Sequence, residues 1–407
     1  MTSRTAVVRS ACVAAAALML TACAQPTTSD PGSQLEDVDA VTLTVSTPLP
    51  ANSSLGIAMA AFMDRVREES GGKIDFELFD SSTLHGNEEA LSALESGLTD
   101  ITNLNPSFFP DDLPAYTWVQ NFGVLATGET PQDILAGTPA GQVVFSTTDA
   151  TSQELAGHNA VALSVLSTEG YTLACNEPVT TLEQAKGKLV RTVGGAWDQE
   201  AEALGMTTVL LDNKEVYEGL QRGVIDCAIG APATHLAFGL AEVAKYYMPL
   251  QFTANTGSTI AMNKETLDGL PADAQQILRE AAALVPVVNA RELEAQSVEW
   301  LETAAEEGVE LVEVENDLSE ALEDLQTARG EELPSTAPAS VSHPDTAVEA
   351  YRGAFDEWKQ ILAEEFGLEP NDGSAAAIEE DLRFLSTDFD WEAYTARFIE
   401  FLNDSGD

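Results

Sequence analysis

Polar and apolar positions follow two periods from residue 41 onward. Val41, Leu43 and Val45 alternate with Thr42 and Thr44, which predicts a strand over 41–45. Leu55, Ala58, Met59, Phe62, Met63 and Val66 then recur at helical spacing. That helix has Ser54 as its expected N-cap and ends at Gly71-Gly72. Ile74, Phe76 and Leu78 alternate again, residues 88–96 return to helical spacing before Gly97, and a third strand starts at Asp100. Strand–helix–strand–helix–strand with short joints predicts a mostly parallel α/β sheet.

Part of this unit recurs. Glu89-x4-Leu94-x2-Gly97-x2-Asp100 matches Glu215-x4-Leu220-x2-Gly223-x2-Asp226 at identical offsets. Each glycine falls where a helix stops in a left-handed cap and the chain turns into a strand. A short strand over 188–191 and a helix near 197–204 precede the second copy. The pattern therefore predicts two α/β lobes of similar local design, and a cleft between two such lobes is a usual place for a small ligand. Beyond Pro271 a long helical stretch runs to about residue 306, with a kink expected at Pro286. A Pro/Ser/Ala-rich linker over 331–345 leads to helices around 347–365, 374–385 and 391–402. Trp358, Leu362 and Phe398 give these an apolar face that should pack on the body.

The first residues belong to no such pattern. Arg4 and Arg9 precede an apolar run over 11–20 that is too short for a permanent span. The run ends in Leu20-Thr21-Ala22-Cys23, which resembles the lipobox of bacterial lipoproteins and implies cleavage before Cys23 and lipidation of its thiol. A polar tether follows to residue 40, suited to holding a soluble body at a membrane face. Such a cut removes two Arg and no acid from the 19 basic and 67 acidic residues, taking the net charge from −48 to −50. That balance excludes nucleic-acid binding, which needs basic patches, and reads as a solubility device. Of four cysteines, Cys12 leaves with the leader. Cys175 and Cys227 remain as either a disulfide pair or two buried thiols in a compartment that permits both. His85, His158, His235 and His343 are scattered and no CxxC occurs, so neither a metal site nor a cofactor is expected. No nucleophile–base constellation or phosphate loop is present, which argues against an enzyme.

Several blocks together resemble the DctP-type solute receptors of TRAP transporters. They are Leu84-His85-Gly86, Gly97-Leu98-Thr99-Asp100, Lys186-Gly187-Lys188-Leu189-Val190-Arg191, and the run from Glu215 through Gly223 to Asp226. The resemblance implies a type II periplasmic-binding-protein-like fold. Its two α/β lobes are joined by crossing strands and a long connecting helix, with an interlobe cleft and a C-terminal helical extension. The expected division is a leader over 1–22, a lipidated cysteine and tether over 23–40, and lobe I over 41–167 with about 254–275. Lobe II takes 168–253 with about 276–330, and the linker 331–345 and C-terminal helices 346–407 complete the chain. The implied function is to trap a small carboxylate outside the cytoplasm and deliver it to membrane permease subunits. The same fold also serves ABC-type importers and ligand sensors, and a non-enzymatic interaction lipoprotein is a further alternative.

The resemblance assigns Arg191 to the ligand's carboxylate. A guanidinium suits that task because it offers two parallel N–H donors to one carboxylate. Many family members carry a second Arg just upstream, where this chain has Thr172 or Tyr171, so a ligand with a single carboxylate is expected. Thr47, Asn105, Phe108, Trp197 and Gly230 are further candidates from their places at strand ends and lobe-edge loops.

Overall fold

The computed structural model describes Leu35 and residues 39–128, 130–371 and 375–405. The leader and Cys23 lie outside the described residues. Alternating segments feed one sheet. β1 (Val41–Ser46) buries Leu43 and Val45 and pairs in parallel with β2 (Ile74–Phe79) and β3 (Ile101–Leu104). The helix Ser54–Glu69 covers this group with Met59, Phe62 and Val66, all fully buried. Its cap is Ser53 rather than Ser54, because Ser53 is still extended and its Oγ accepts the Gly56 N–H at 3.1 Å.

The remaining strands are β4 (Ala160–Cys175), β5 (Leu189–Thr192), β6 (Thr207–Leu210), β7 (Cys227–Gly230), β8 (Tyr246–Asn263) and β9 (Glu310–Leu311). The order across the sheet is β2-β1-β3-β8-β4-β7-β5-β6, with β9 against β8. β4 and β8 are 16 and 18 residues long and run antiparallel through the middle. Lobe I gathers β1–β3 on the far part of β8, and lobe II gathers β5–β7 on the last residues of β4. The β4–β8 register slips repeatedly between Ser167 and Leu173, where both strands leave one lobe and enter the other. Such irregularities bend a strand pair locally.

The recurring motif corresponds to two equivalent helix ends. Gly97 (φ 72°) and Gly223 (φ 67°) both cap in the left-handed region, which a side chain disfavours, and each leads into a strand. After Pro271 the chain forms two helices instead of one kinked helix, Ala272–Ala282 and the connecting helix Val285–Glu306. Pro286 sits in the first turn of the second, where its missing N–H leaves no hydrogen bond unmade. The connecting helix packs on Ser54–Glu69 of lobe I and on Pro232–Ala237 of lobe II. The helices Pro344–Phe366, Ala375–Thr387 and Trp391–Ser405 form a third mass against Gly137–Thr147, with Trp358, Tyr351 and Phe398 buried in the shared core. Cys175 and Cys227 face each other across β4 and β7 and are joined as a disulfide.

Three buried carboxyls mark the crossing point among the described residues: Glu169 in the irregular stretch of β4, Glu294 on the connecting helix and Asp133 on the helix Gln132–Leu135, with the half-buried Asp381 of Ala375–Thr387 beside them. Ser297 Oγ donates to Glu169 Oε1 at 2.8 Å, while Glu169 Oε2 and Glu294 Oε1 have no hydrogen-bond partner among the described residues. Burial, reinforced by Asp133, pushes the Glu169 carboxyl up to about 7. Burial, with Glu169, Asp133 and Asp381 nearby, raises Glu294 well above the usual carboxylate range. A carboxyl raised by folding contributes stability that is present below its unfolded value, about 4.3 for Glu, and lost as pH rises through the folded one. Glu169→Gln should therefore raise the melting temperature relative to wild type at pH 8, with the gain shrinking toward pH 4. A melting-temperature series from pH 4 to 8 measures this, and a gain that does not vary with pH would contradict it.

Candidate functional site

β5 is four residues long, and it delivers Arg191 from the middle of lobe II toward the gap between the lobes. A cavity of about 100 Å³ fills that gap. Asn87, Asn105 and Phe108 line it from lobe I, and Arg191, Asn213 and Gly230 from lobe II. Tyr171 and Asn255 come from the crossing strands, and Asn289 and Leu293 from the connecting helix.

Arg191 is 2% exposed. Its Nε donates to Leu211 O (3.0 Å), Nη1 to Ile229 O (3.4 Å) and Nη2 to Asn213 Oδ1 (2.6 Å). All three acceptors are neutral, and among the described residues Arg191 forms no ion pair. A guanidinium has five N–H groups, so two remain without a protein acceptor. Burial pulls its pKa down to about 10, opposed in part by Tyr171 and by the Asp212 carboxylate, so the side chain is still a cation at neutral pH. Arg329, the other largely buried arginine, makes the contrast. Its Nη1 lies 3.1 Å from Glu200 Oε1, so its charge is answered within the protein. A buried charge with no partner is costly unless something else supplies the opposite sign.

Four of the residues anticipated from sequence, Asn105, Phe108, Arg191 and Gly230, line the cavity. Thr47, Thr172 and Trp197 do not. Thr47 turns its hydroxyl to Leu49 O (2.9 Å), and it is the following Pro48 and Leu49 that reach the space. Neighbouring residues of a strand face opposite ways, so Tyr171 meets the cavity and Thr172 turns to Gly230 O (3.2 Å). Trp197 sits one layer back, stacked on Tyr171 with centroids 4.9 Å apart and its Nε1 donating to Thr253 O. Asn105 combines two roles: it lines the cavity, and its Oδ1 accepts from Ser107 N and Gln120 Nε2.

Sequence reasoning passed over Tyr171 as a lining residue and also Asn213, Asn255 and Asn289. One signal for Asn289 was legible: Val285, Asn289 and Leu293 recur every four residues, placing an amide between two apolar residues on the helix's buried stripe.

The lobes meet across the cavity mouth. Asn87 of lobe I donates from Nδ2 to Asp212 Oδ1 of lobe II, and Ser107 Oγ donates to Val193 O at 2.7 Å. Asp212 also caps the helix Asn213–Arg222 through a capping box with Glu215, which fixes the carboxylate that Asn87 reaches.

Two α/β lobes facing each other across a cavity of mixed polar and apolar lining, joined by crossing strands, define the class: a two-lobed solute-binding receptor fold. The sequence profile of DctP, bacterial extracellular solute-binding protein, family 7, matches residues 45–329, and the chain belongs to that family. Proteins of this family are extracytoplasmic. The C4-dicarboxylate-binding periplasmic protein DctP of Rhodobacter capsulatus is 25% identical over 232 residues, 56% of this chain and 66% of that one. The chain spans 64–66% of the length of three such curated relatives. Among solved structures, a marine-metagenome TRAP solute-binding protein specific for pyroglutamate has a TM-score of 0.67 at 19% identity. The match covers 78% of this chain and 100% of that one. A TRAP solute-binding protein of Chromohalobacter salexigens with bound D-glucuronate has a TM-score of 0.63 at 20% identity, covering 77% and 99%. At these identities the likeness to both structures is one of fold.

Asn87→Ala removes the side-chain hydrogen bond to Asp212 and leaves in place the longer Asn87 N–H contact to that carboxylate (3.4 Å), the Ser107–Val193 bond and the Asp212 cap. A hydrogen bond to a charged group is worth about 1.5–3 kcal/mol. The variant without ligand should show a larger radius of gyration by small-angle scattering. An unchanged radius would mean that this contact does not hold the lobes together.

Proposed function

We propose that this protein is the extracytoplasmic solute receptor of a TRAP-type transporter, and that it captures a small organic acid between its lobes and hands it to membrane permease subunits. The observation that carries the reading is Arg191, a buried guanidinium with no acidic partner and two unspent donors at the cavity wall. A ligand carboxylate supplies the missing charge and accepts both donors. The solutes named for the structural neighbours, pyroglutamate and D-glucuronate, are both carboxylic acids, which supports the same chemistry here. Binding and release complete such a role, so the protein acts as a receptor and not as an enzyme. We read Cys23 as the lipid-bearing residue that tethers the receptor to the outer face of the membrane.

Anything that binds only the folded form raises its melting temperature. A panel of organic acids should contain at least one that does so for the wild type, and Arg191→Gln should weaken its binding at least tenfold by titration calorimetry. A shift of equal size in the variant would remove Arg191 from the site. Cys23→Ser should move the protein expressed in its host from the detergent-extracted membrane fraction to the soluble one. A variant that stays with the membrane would point to another anchor.

A further inference from the structure

Six asparagines line the cavity, and five are engaged with the protein. Asn87 donates to Asp212, Asn103 to Ser258 Oγ and Thr259 O, and Asn213 accepts from Arg191. Gln120 Nε2 donates to both Asn105 Oδ1 and Asn255 Oδ1. Asn289 differs. It is 4% exposed, it faces the cavity from the connecting helix, and its side-chain amide has no hydrogen-bond partner among the described residues. Polar groups this deep in a folded protein are nearly all paired, so an amide open only to the cavity is a group that a bound molecule can answer. Arg191 and Asn289 are thus two unanswered groups on separate walls of one cavity, one charged and one neutral.

The rest of the lining limits what answers them. Among the described residues that line the cavity, Arg191 is the only one with a charged side chain. A second ligand carboxylate would be buried against neutral amides and aromatic rings with no opposite charge, which is strongly unfavourable. Leu55, Leu166, Leu293 and the rings of Phe108 and Tyr171 supply apolar surface between the polar groups. At about 100 Å³ the cavity is also small beside the roughly 300–1,000 Å³ of ordinary ligand pockets.

We infer that the ligand is a compact monocarboxylate with an uncharged carbonyl or amide away from its carboxylate, and that Asn289 is the residue that selects for this neutral polar group. The inference rests on the receptor reading above and sharpens it. Arg191 supplies affinity for any small carboxylate. Asn289 discriminates among them, because an analogue without the polar group leaves its amide unpaired in the closed state.

The test uses four probes on the tether-free wild type, Asn289→Leu and Arg191→Gln, with dissociation constants from calorimetry. L-Pyroglutamate carries one carboxylate and a lactam. Cyclopentanecarboxylate keeps the ring and the charge without the lactam. Succinate adds a second carboxylate, and D-glucuronate is a larger monocarboxylate. The wild type should prefer pyroglutamate to cyclopentanecarboxylate by at least tenfold and bind both more tightly than succinate or glucuronate. Asn289→Leu should reduce the ratio of the first two to within threefold by weakening pyroglutamate alone. Retained binding of cyclopentanecarboxylate by that variant shows that it is folded. Arg191→Gln should weaken both. Tightest binding of succinate or glucuronate with Arg191 still required, or an unchanged ratio in Asn289→Leu, would overturn this inference and leave the receptor reading standing. Absence of any Arg191-dependent binding would overturn both.

Discussion

A charged guanidinium held out of water with no ion-pair partner among the described residues is the constraint around which this molecule is arranged. Arg191 cannot shed its proton at neutral pH even with its pKa drawn down to about 10. Its desolvation is offset only in part by two backbone carbonyls and the Asn213 amide. Leu211, Asn213 and Ile229 come from segments beside β5, so the α/β packing of lobe II is what keeps the cation in place. Arg329 shows the other solution to the same difficulty. Its pairing with Glu200, and its hydrogen bond to Asn121 Oδ1 at 3.0 Å, fasten the helix Asn316–Glu332 to both lobes. One buried arginine is used to hold the structure together, and the other is left open toward a cavity.

The cavity exists because two strands and one helix belong to neither lobe alone. β4 and β8 carry the chain across, and their register slips near Glu169–Gly170 allow a bend there without loss of the sheet. The connecting helix passes over the same crossing and contributes Asn289 to the cavity and Glu294 to the carboxyl group beside it. The C-terminal helices brace this region from outside: Gln132 Nε2 donates to Glu369 O at 3.0 Å and Tyr394 Oη to Leu135 O at 2.7 Å. Buried carboxyls with unpaired oxygens at this crossing are a stability cost at neutral pH, placed where the lobes are joined.

A net charge of −48 sets the long-range field against an anionic solute. At 0.15 M salt that field decays over about 8 Å, so it weakens approach more than it weakens the final contact. Among the described residues that line the cavity Arg191 is the only charge, and neutral amides and rings surround it. On the proposed reading, capture of an anion would depend on close-range donors and on closure of the lobes, where Asn87 donates to Asp212.

The sequence by itself determined the local elements and the class of fold. Alternation in 41–45, the helical spacing of 55–66 and the two glycine caps at 97 and 223 depend on period and backbone conformation, which are local properties. The block ending in Arg191 carried the family and the cation for the same reason. The short helical segments between residues 114 and 157 left little periodic signal. The continuity of β4 and β8 across both lobes was equally hidden, because a strand's length depends on what pairs with it. Only the tertiary structure decided which candidates meet. Thr172 and Tyr171 are adjacent in sequence but point to opposite sides of β4, and Trp197 is held one layer behind the wall. Asn289 becomes a partner of the Arg191 site only because a helix nearly 100 residues later crosses the join between the lobes. Spacing records which face of its own element a residue occupies. What lies across from that face depends on how the elements pack, and that is set by the whole chain at once.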